Sequence, residues 1–244
     1  MKYSAKTDRG SVREINEDYY NIISGYPGIP DTFIIADGMG GHNAGEIASR
    51  SSIDHISNLI VESPELLSES PDMEEKIKNL ILKANQVVYK KSLELTENHG
   101  MGTTLIMAVI VEKTMYIGHV GDSRLYLVRK DKMKRLTTDH SYIEELIKNG
   151  SLTREEAEKH PNRNIITRAL GCSPDLEVDT YICRLETDDC IIMCTDGLTT
   201  MMDEEEIKNT VIGNLPARAC EELIAGAVRS GGDDNITVIV IKNE

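Results

Sequence analysis

The stretch Phe33-Ile34-Ile35-Ala36-Asp37-Gly38-Met39-Gly40-Gly41-His42 is an apolar run that stops at an acid and three glycines. A run this short, bounded by glycine, predicts a buried strand. Asp37 then stands where the strand leaves the core, and the glycines let the backbone turn and approach whatever Asp37 holds. The pattern recurs. Residues 190–197 end in Asp196-Gly197, residues 117–122 end in Asp122, and Asp233-Asp234-Asn235 precedes the apolar run 236–241. In an antiparallel sheet the end of one strand lies beside the start of its neighbour. Acids that end some strands and start another can therefore meet on one edge.

At 244 residues the chain is long enough for a sizeable core in one domain or at most two. Tryptophan is absent and phenylalanine occurs once, so the core must be aliphatic and rich in methionine. A net charge of −14 argues against nucleic acid or an anionic membrane as partner. The five cysteines form no C-x-x-C pair, and their odd number suits a reducing compartment better than a disulfide framework. There is no apolar leader core and no run of membrane-spanning length. The expectation is a cytoplasmic protein.

Along the chain, strands are expected at 3–7, 19–23 and up to Asp37. The apolar spacing of residues 44–61 predicts an amphipathic helix, and Asp72 is the candidate cap of a second one running to about Glu97. A meander follows, with strands at 103–111, 115–120 and 125–128 joined by short polar turns, which implies antiparallel pairing. The stretch from Asp139 to Leu170 is polar and long for a connection, with a helix at 142–148 and another from about Thr153. It reads as an insertion that is either a functional lid or mere decoration. Strands at 178–185 and 189–195, helices at 204–212 and 217–228, and a last strand at 235–242 complete the chain. Two groups of antiparallel strands, each with a face for helices to cover, predict an α+β layered sandwich.

Carboxylates with backbone carbonyls and water suit hard divalent cations such as Mg²⁺ or Mn²⁺. Clustered aspartates without a cation would repel one another. The spacing alone leaves two readings open: independent Asp-Gly turns or a shared metal site. A pair of such ions can hold a hydroxide and neutralise a phosphoryl group under in-line attack. Arg13 could then grip phosphate oxygens, or simply pair with Glu14 or Glu17. The chain has no C-x5-R phosphatase loop, no G-x-S-x-G elbow and no G-x-x-x-x-G-K-[ST] loop.

Taken in order, the motifs resemble one family. They are Thr7-Asp8-Arg9-Gly10 with Val12-Arg13 and Asn16-Glu17-Asp18; Ala36-Asp37-Gly38-Met39-Gly40-Gly41-His42; Met101-Gly102-Thr103-Thr104; His119-Val120-Gly121-Asp122-Ser123-Arg124; Leu136-Thr137-Thr138-Asp139-His140-Ser141; Ile166-Thr167-Arg168-Ala169-Leu170-Gly171; Thr195-Asp196-Gly197; and Asp234-Asn235-Ile236-Thr237. The chain resembles the metal-dependent Ser/Thr protein phosphatases of type 2C, in particular their compact bacterial members. The resemblance implies a four-layer α-β-β-α sandwich of two antiparallel sheets flanked by helices. It implies a single domain over 1–244, with a flap-like insertion at roughly 140–168.

It also implies a site. Asp37 would bridge two Mn²⁺ or Mg²⁺ ions, with the Gly38 carbonyl on one of them. Asp196 and Asp234 would complete one ion and Glu17 would serve the other, with Asp18 and Asn235 in support. Asp122, helped by Asp196, would hold a possible third ion. Arg13 would bind the substrate phosphate. Met39 stands where many eukaryotic members carry a histidine, and His42 is the candidate general acid here, with metal-bound water as the other candidate. The implied reaction is hydrolysis of phosphoserine and phosphothreonine in proteins by a metal-bridging hydroxide. The partners would be phosphorylated proteins and a cognate Ser/Thr kinase, and the protein would be a monomer. Two rivals are a catalytically inactive phosphatase-like module that binds a partner or senses metal, and an enzyme for small phosphoesters.

Overall fold

The computed structural model describes residues 1–40, 44–68, 70–157 and 160–244. Strands β1 (Lys2–Asp8), β2 (Asp18–Ile23) and β3 (Asp31–Met39) come first. Helices α1 (Ala44–Glu62) and α2 (Met73–Glu94) follow. Then come β4 (Gly102–Thr103), β5 (Leu105–Val111), β6 (Thr114–Val120), β7 (Arg124–Arg129) and β8 (Lys132–Arg135). Helices α3 (Tyr142–Lys148) and α4 (Arg154–Ala157) precede β9 (Asp179–Arg184) and β10 (Cys190–Cys194). Helices α5 (Asp196–Thr199), α6 (Glu204–Ile212) and α7 (Pro216–Arg229) lead to β11 (Ile236–Lys242).

The strands form two sheets, ordered β1-β11-β10-β7-β8 and β2-β3-β5-β6-β9, with β4 attached to β3. Every strand pair is antiparallel. The continuous apolar runs follow from burial on both faces. Phe33 and Ile35 of β3 enter the core between the sheets with Ile239, Ile241, Ile191 and Met193. Their neighbours Ile34 and Ala36 face α1 and α2, beside Ile53, Ile56, Ile77 and Ile81. Ile192, Val238 and Val240 face α6 and α7, beside Ile207, Ala219 and Leu223. A period of two therefore feeds three cores, and the order of layers is helices, sheet, sheet, helices. Each fully buried aliphatic side chain contributes about 1.5–3 kcal/mol. This is the four-layer α+β sandwich that the motifs imply.

Several boundaries differ from expectation. β3 does not stop at Asp37, because β4 pairs with Gly38 and Met39 and carries the ladder on. The expected strand 103–111 is broken at Thr104, whose N–H leaves the ladder for the Asp37 carbonyl at 2.9 Å. Helix α2 ends at Glu94, and a 3-10 turn, Thr96–Asn98, follows. A turn is expected at 129–132, and β8 (Lys132–Arg135) is a strand after it that the sequence does not announce. Lys130 and Asp131 both have positive φ, 48° and 61°, which closes a two-residue hairpin without the glycine that usually marks one. α5 begins at Asp196, directly after the apolar run.

The stretch after Asp139 carries α3 and α4 and returns beside its own start. Ser141 bridges Ile166, and the Tyr142 N–H donates to the Ile165 carbonyl at 2.9 Å. Ser141 caps α3 by accepting from the Glu144 N–H. Among the described residues no helix is long and apolar enough to cross a membrane.

Candidate active site

The strand register brings the acids together. Asp18, first in β2, lies directly opposite Asp37 of β3. In the other sheet Cys194 pairs with Val238, so Asp196, two residues past β10, and Asp234, two residues before β11, leave from the same edge. Leu105 pairs with Val120, which sets Asp122, two residues past β6, beside the loop from β4 to β5. Asp18 joins the two sheets. Its Oδ2 accepts from the Thr195 hydroxyl at 2.8 Å and the Thr237 hydroxyl at 2.7 Å.

The Asp37 backbone is held on both sides. Its N–H donates to Thr104 Oγ1 at 2.9 Å, and its carbonyl accepts from the Thr103 hydroxyl at 2.9 Å. Thr104 Oγ1 also lies 2.8 Å from Ser123 Oγ, which ties the Asp37 strand end to the turn that carries Asp122. Gly38 and Gly197 are required by space. A Cβ on Gly38 would collide with the Gly45 carbonyl, and one on Gly197 with the Asn235 carbonyl. The start of α1 thus packs onto one Asp-Gly and the start of β11 onto the other.

Glu17 sits beside this pair. Its N–H donates to Asn235 Oδ1 at 2.8 Å, and the Asn235 amide donates onward to the carbonyls of Arg9 and Ile15. Asn235 therefore staples the loop of residues 9–17 to the start of β11. Arg13 reaches back from that loop, and its Nη2 donates to Asp234 Oδ2 at 2.8 Å. Its side chain is 48% exposed, so the guanidinium faces the open side of the cluster.

The electrostatics are those of a crowd of like charges. Burial, then the charges of Asp18, Asp196, Asp122 and Asp234, hold the Asp37 carboxyl well above the usual range. Burial and the neighbouring Asp196 and Asp234 push Asp18 up to about 7, against the pull of its two threonine bonds. Burial and Asp196 push Asp122 up to about 8. Asp196 is raised by burial and by the charge of Asp234. Burial raises Glu17 too, opposed by Arg13 and by a bond from the Gly45 N–H.

One carboxylate oxygen of each of Asp18, Asp122 and Asp196 is buried with no hydrogen-bond partner. An unsatisfied buried oxygen costs about 1–3 kcal/mol, and more when charged. Hard divalent cations satisfy such oxygens and cancel the repulsion. Among the described residues no three Asp, Glu, His or Cys side chains are drawn tightly enough to cage an ion by themselves. The donor set fits a cation that also takes backbone carbonyl and water oxygens, which is the ordinary condition of Mg²⁺ and related ions. A cleft of about 1000 Å³ leads away from Asp122 and Asp196. Ile143, Ile147 and Ala157 of the insertion line it, together with Met201 and Met202.

Of the residues singled out from sequence, Glu17, Asp18, Asp37, Gly38, Asp122, Asp196, Asp234, Asn235 and Arg13 are gathered at one edge of the sandwich. His42 lies outside the described residues. Sequence reasoning assigned no part to Thr104, Ser123, Thr195, Thr237 or Gly45. Ser123 and Thr195 directly adjoin the strand-end acids Asp122 and Asp196 in the sequence, whereas Thr104, Thr237 and Gly45 have no strand-end acid beside them.

The protein phosphatase 2C family profile matches residues 9–222. A serine/threonine phosphatase, stp, of Listeria innocua is 36% identical over 243 residues, covering 99% of this chain and 96% of the relative. The solved structure of the S. agalactiae serine/threonine phosphatase superposes with a TM-score of 0.93 at 35% identity, over 100% of this chain and 99% of that one. The catalytic domain of the phosphatase PstP, solved with two manganese ions, superposes with a TM-score of 0.84 at 31% identity, over 98% of this chain and 96% of that one. With the matched residues running from the Arg13 loop to α7, this chain belongs to the protein phosphatase 2C family.

Proposed function

We propose that the chain hydrolyses phosphoserine and phosphothreonine in proteins, using divalent cations held by the acid cluster. The carrying observation is the set of buried, unpartnered carboxylate oxygens on Asp18, Asp122 and Asp196 around Asp37. Asp37 and the Gly38 carbonyl, with Asp196 and Asp234 on one side and Glu17 on the other, would hold two ions. Asp122 with Asp196 would hold a third, and Mn²⁺ or Mg²⁺ suits this all-oxygen set. Bound there, such ions lower the pKa of water and offset charge on a phosphoryl group.

The chain's own contribution is placement. Arg13, exposed and already aimed at Asp234, offers a planar pair of donors to phosphate oxygens. Asp18, Asn235 and Thr104 keep the acids from turning away. The insertion at 140–168 serves as a flap, since its α3 and α4 line the cleft beside Asp122. His42 remains the proposed proton donor to the leaving alkoxide, beside water as the alternative. A cognate Ser/Thr kinase, a cytoplasmic location and a monomeric state complete the proposal. The presence of every acid and of Arg13 favours it over a non-catalytic module.

The test is phosphate release from a phosphothreonine peptide in EDTA and then with Mn²⁺ or Mg²⁺, for wild type and Asp234→Asn. Metal-dependent release that falls at least a hundredfold in the variant supports the proposal. Free phosphothreonine turned over as fast as the peptide would shift it to small phosphoesters.

A further inference from the structure

Two stacked imidazoles bracket Asp122. His119, in β6, and His140, at the base of the insertion, have ring centroids 4.8 Å apart and planes 27° from parallel. Both are buried, at 0% and 6% exposure. His119 Nε2 lies 3.0 Å from the Ser123 carbonyl. A carbonyl only accepts, so His119 carries its proton on Nε2. The Gly121 N–H donates to His140 Nδ1 at 3.0 Å, so Nδ1 is the bare nitrogen there and His140 too is protonated on Nε2. That Nε2 faces Asp179 Oδ2 at 3.3 Å. Arg168 stands 3.0 Å from the same nitrogen, and its Nη1 donates to Asp179 Oδ1 at 2.7 Å. Asp179 thus accepts from Arg168 and lies beside the His140 ring, while the Gly121 N–H fixes the tautomer of His140.

The residues on either side of Asp122 are therefore each held by one ring of the stack. A second bond strengthens the grip, because the His140 N–H donates to the Gly121 carbonyl at 2.8 Å. Gly121 has φ +104°, and a Cβ there would collide with Thr104. The turn is pressed against Thr104 on one side and held by the histidines on the other. Asp139, next to His140, takes the Arg124 guanidinium through Nε and Nη2 at 3.0 and 2.7 Å. A leucine could fill the same space, but it could not accept the Gly121 N–H.

We propose that the His119–His140 stack is a positioning clamp that fixes Asp122 and couples it to the base of the insertion. The proposal rests on the reading of Asp122 as a ligand for a divalent cation. The clamp acts through the peptide groups flanking Asp122, and neither histidine is assigned a catalytic role.

The test titrates Mn²⁺ into metal-free protein by calorimetry, with the melting temperature followed by circular dichroism. Asp122→Asn should lose the most weakly bound ion. His140→Leu removes the acceptor at similar volume and should weaken that ion about tenfold, as loss of ligand support commonly does, while the tighter ions are unchanged. His140→Asn places an oxygen where Nδ1 was and should stay within about twofold of wild type. In the Asp122→Asn background His140→Leu should change nothing further. If His140→Leu does not fold, His140→Gln replaces it. That side chain reaches Asp179 but offers Gly121 no acceptor, and it should behave as the leucine does. Wild-type titrations for both His140→Leu and His140→Asn, with only the melting temperature lowered, would overturn the clamp while leaving Asp122 as a ligand. A wild-type titration for Asp122→Asn would overturn the ligand reading, and the clamp with it.

Discussion

Asp18 and Asp37 stand directly opposite one another in the ladder between β2 and β3. Like charges at facing positions of a sheet are destabilising, and here burial adds to the cost. The fold gives Asp18 two threonine donors from the other sheet, yet it leaves one buried oxygen on each of Asp18, Asp122 and Asp196 without a partner. An arrangement that is unfavourable alone and favourable with cations ties stability to metal.

That tie sets a pH dependence. Asp18 is raised to about 7 and Asp122 to about 8, so the native metal-free protein binds these protons more tightly than the unfolded chain. Their contribution is fully present at low pH and is lost as pH rises through the folded-state values. The buried His119, lowered to about 3 by desolvation and the nearby His140, works in the opposite direction as pH falls below its ordinary value of 6.5. The window that isolates the acids therefore runs from about pH 6.5, above the histidine's ordinary value, up to about pH 8, the higher of the acids' folded-state values, beyond which the profile levels off. The melting temperature of EDTA-treated protein should fall across it, saturating Mn²⁺ should remove most of the slope, and Asp18→Asn should reduce it without metal. A flat or rising profile in the metal-free protein contradicts the account.

Arg13 is expected to act on phosphate. Arg13→Ala should lower kcat/KM for a phosphothreonine peptide by about 10- to 100-fold, the worth of a charge-assisted bond. Arg13→Lys should recover only part, because an ammonium lacks the planar fork. Steady-state kinetics at saturating Mn²⁺ decide it. An unchanged kcat/KM in Arg13→Ala would reduce this residue to a partner of Asp234.

Thr104 is the joint between the two acid-bearing turns. Thr104→Val keeps the shape but strips the acceptor from the Asp37 N–H and the partner from Ser123. The expected loss is about 1–3 kcal/mol in urea unfolding of the metal-free protein. A loss below about 0.5 kcal/mol would mean that water replaces the hydroxyl without cost.

Gly197→Ala tests the close approach at the second Asp-Gly. Its methyl would meet the Asn235 carbonyl, so either β11 shifts or Asp196 does. A destabilisation of about 1–3 kcal/mol is expected, together with weaker Mn²⁺ binding seen by calorimetry. Wild-type values for both would show that the loop has room to spare.

Much of this fold was legible in the sequence because its strands are buried on both faces. Phe33, Ile34, Ile35 and Ala36 serve two cores alternately, so the whole run had to be apolar. The meeting of the strand-end acids was legible as a possibility, since antiparallel neighbours place ends beside starts. What could not be read is which sheet each acid belongs to. The bonds from Thr195 and Thr237 to Asp18 span separations of 177 and 219 residues, and no local pattern marks them. The turn at 129–132 was legible, but β8 after it was hidden because Lys132-Met133-Lys134-Arg135 holds one apolar residue among three cations. The His119–His140 stack was hidden because its rings come from a strand and an insertion. The extension of β3 beyond Asp37 depends on β4, a two-residue strand too short to carry a periodicity.

The central claim is that the crowded acids exist to hold the cations that hydrolyse phosphoprotein esters, with Asp37 shared between them. The most direct measurement pairs a Mn²⁺ titration with phosphate release from a phosphothreonine peptide, on wild type and Asp37→Asn. The account predicts that Asp37→Asn folds, loses the tight Mn²⁺ binding and loses release by a factor of about 1000 or more, which is about 4 kcal/mol of transition-state stabilisation. A folded Asp37→Asn protein that binds Mn²⁺ as wild type does and releases phosphate at the same rate would contradict it.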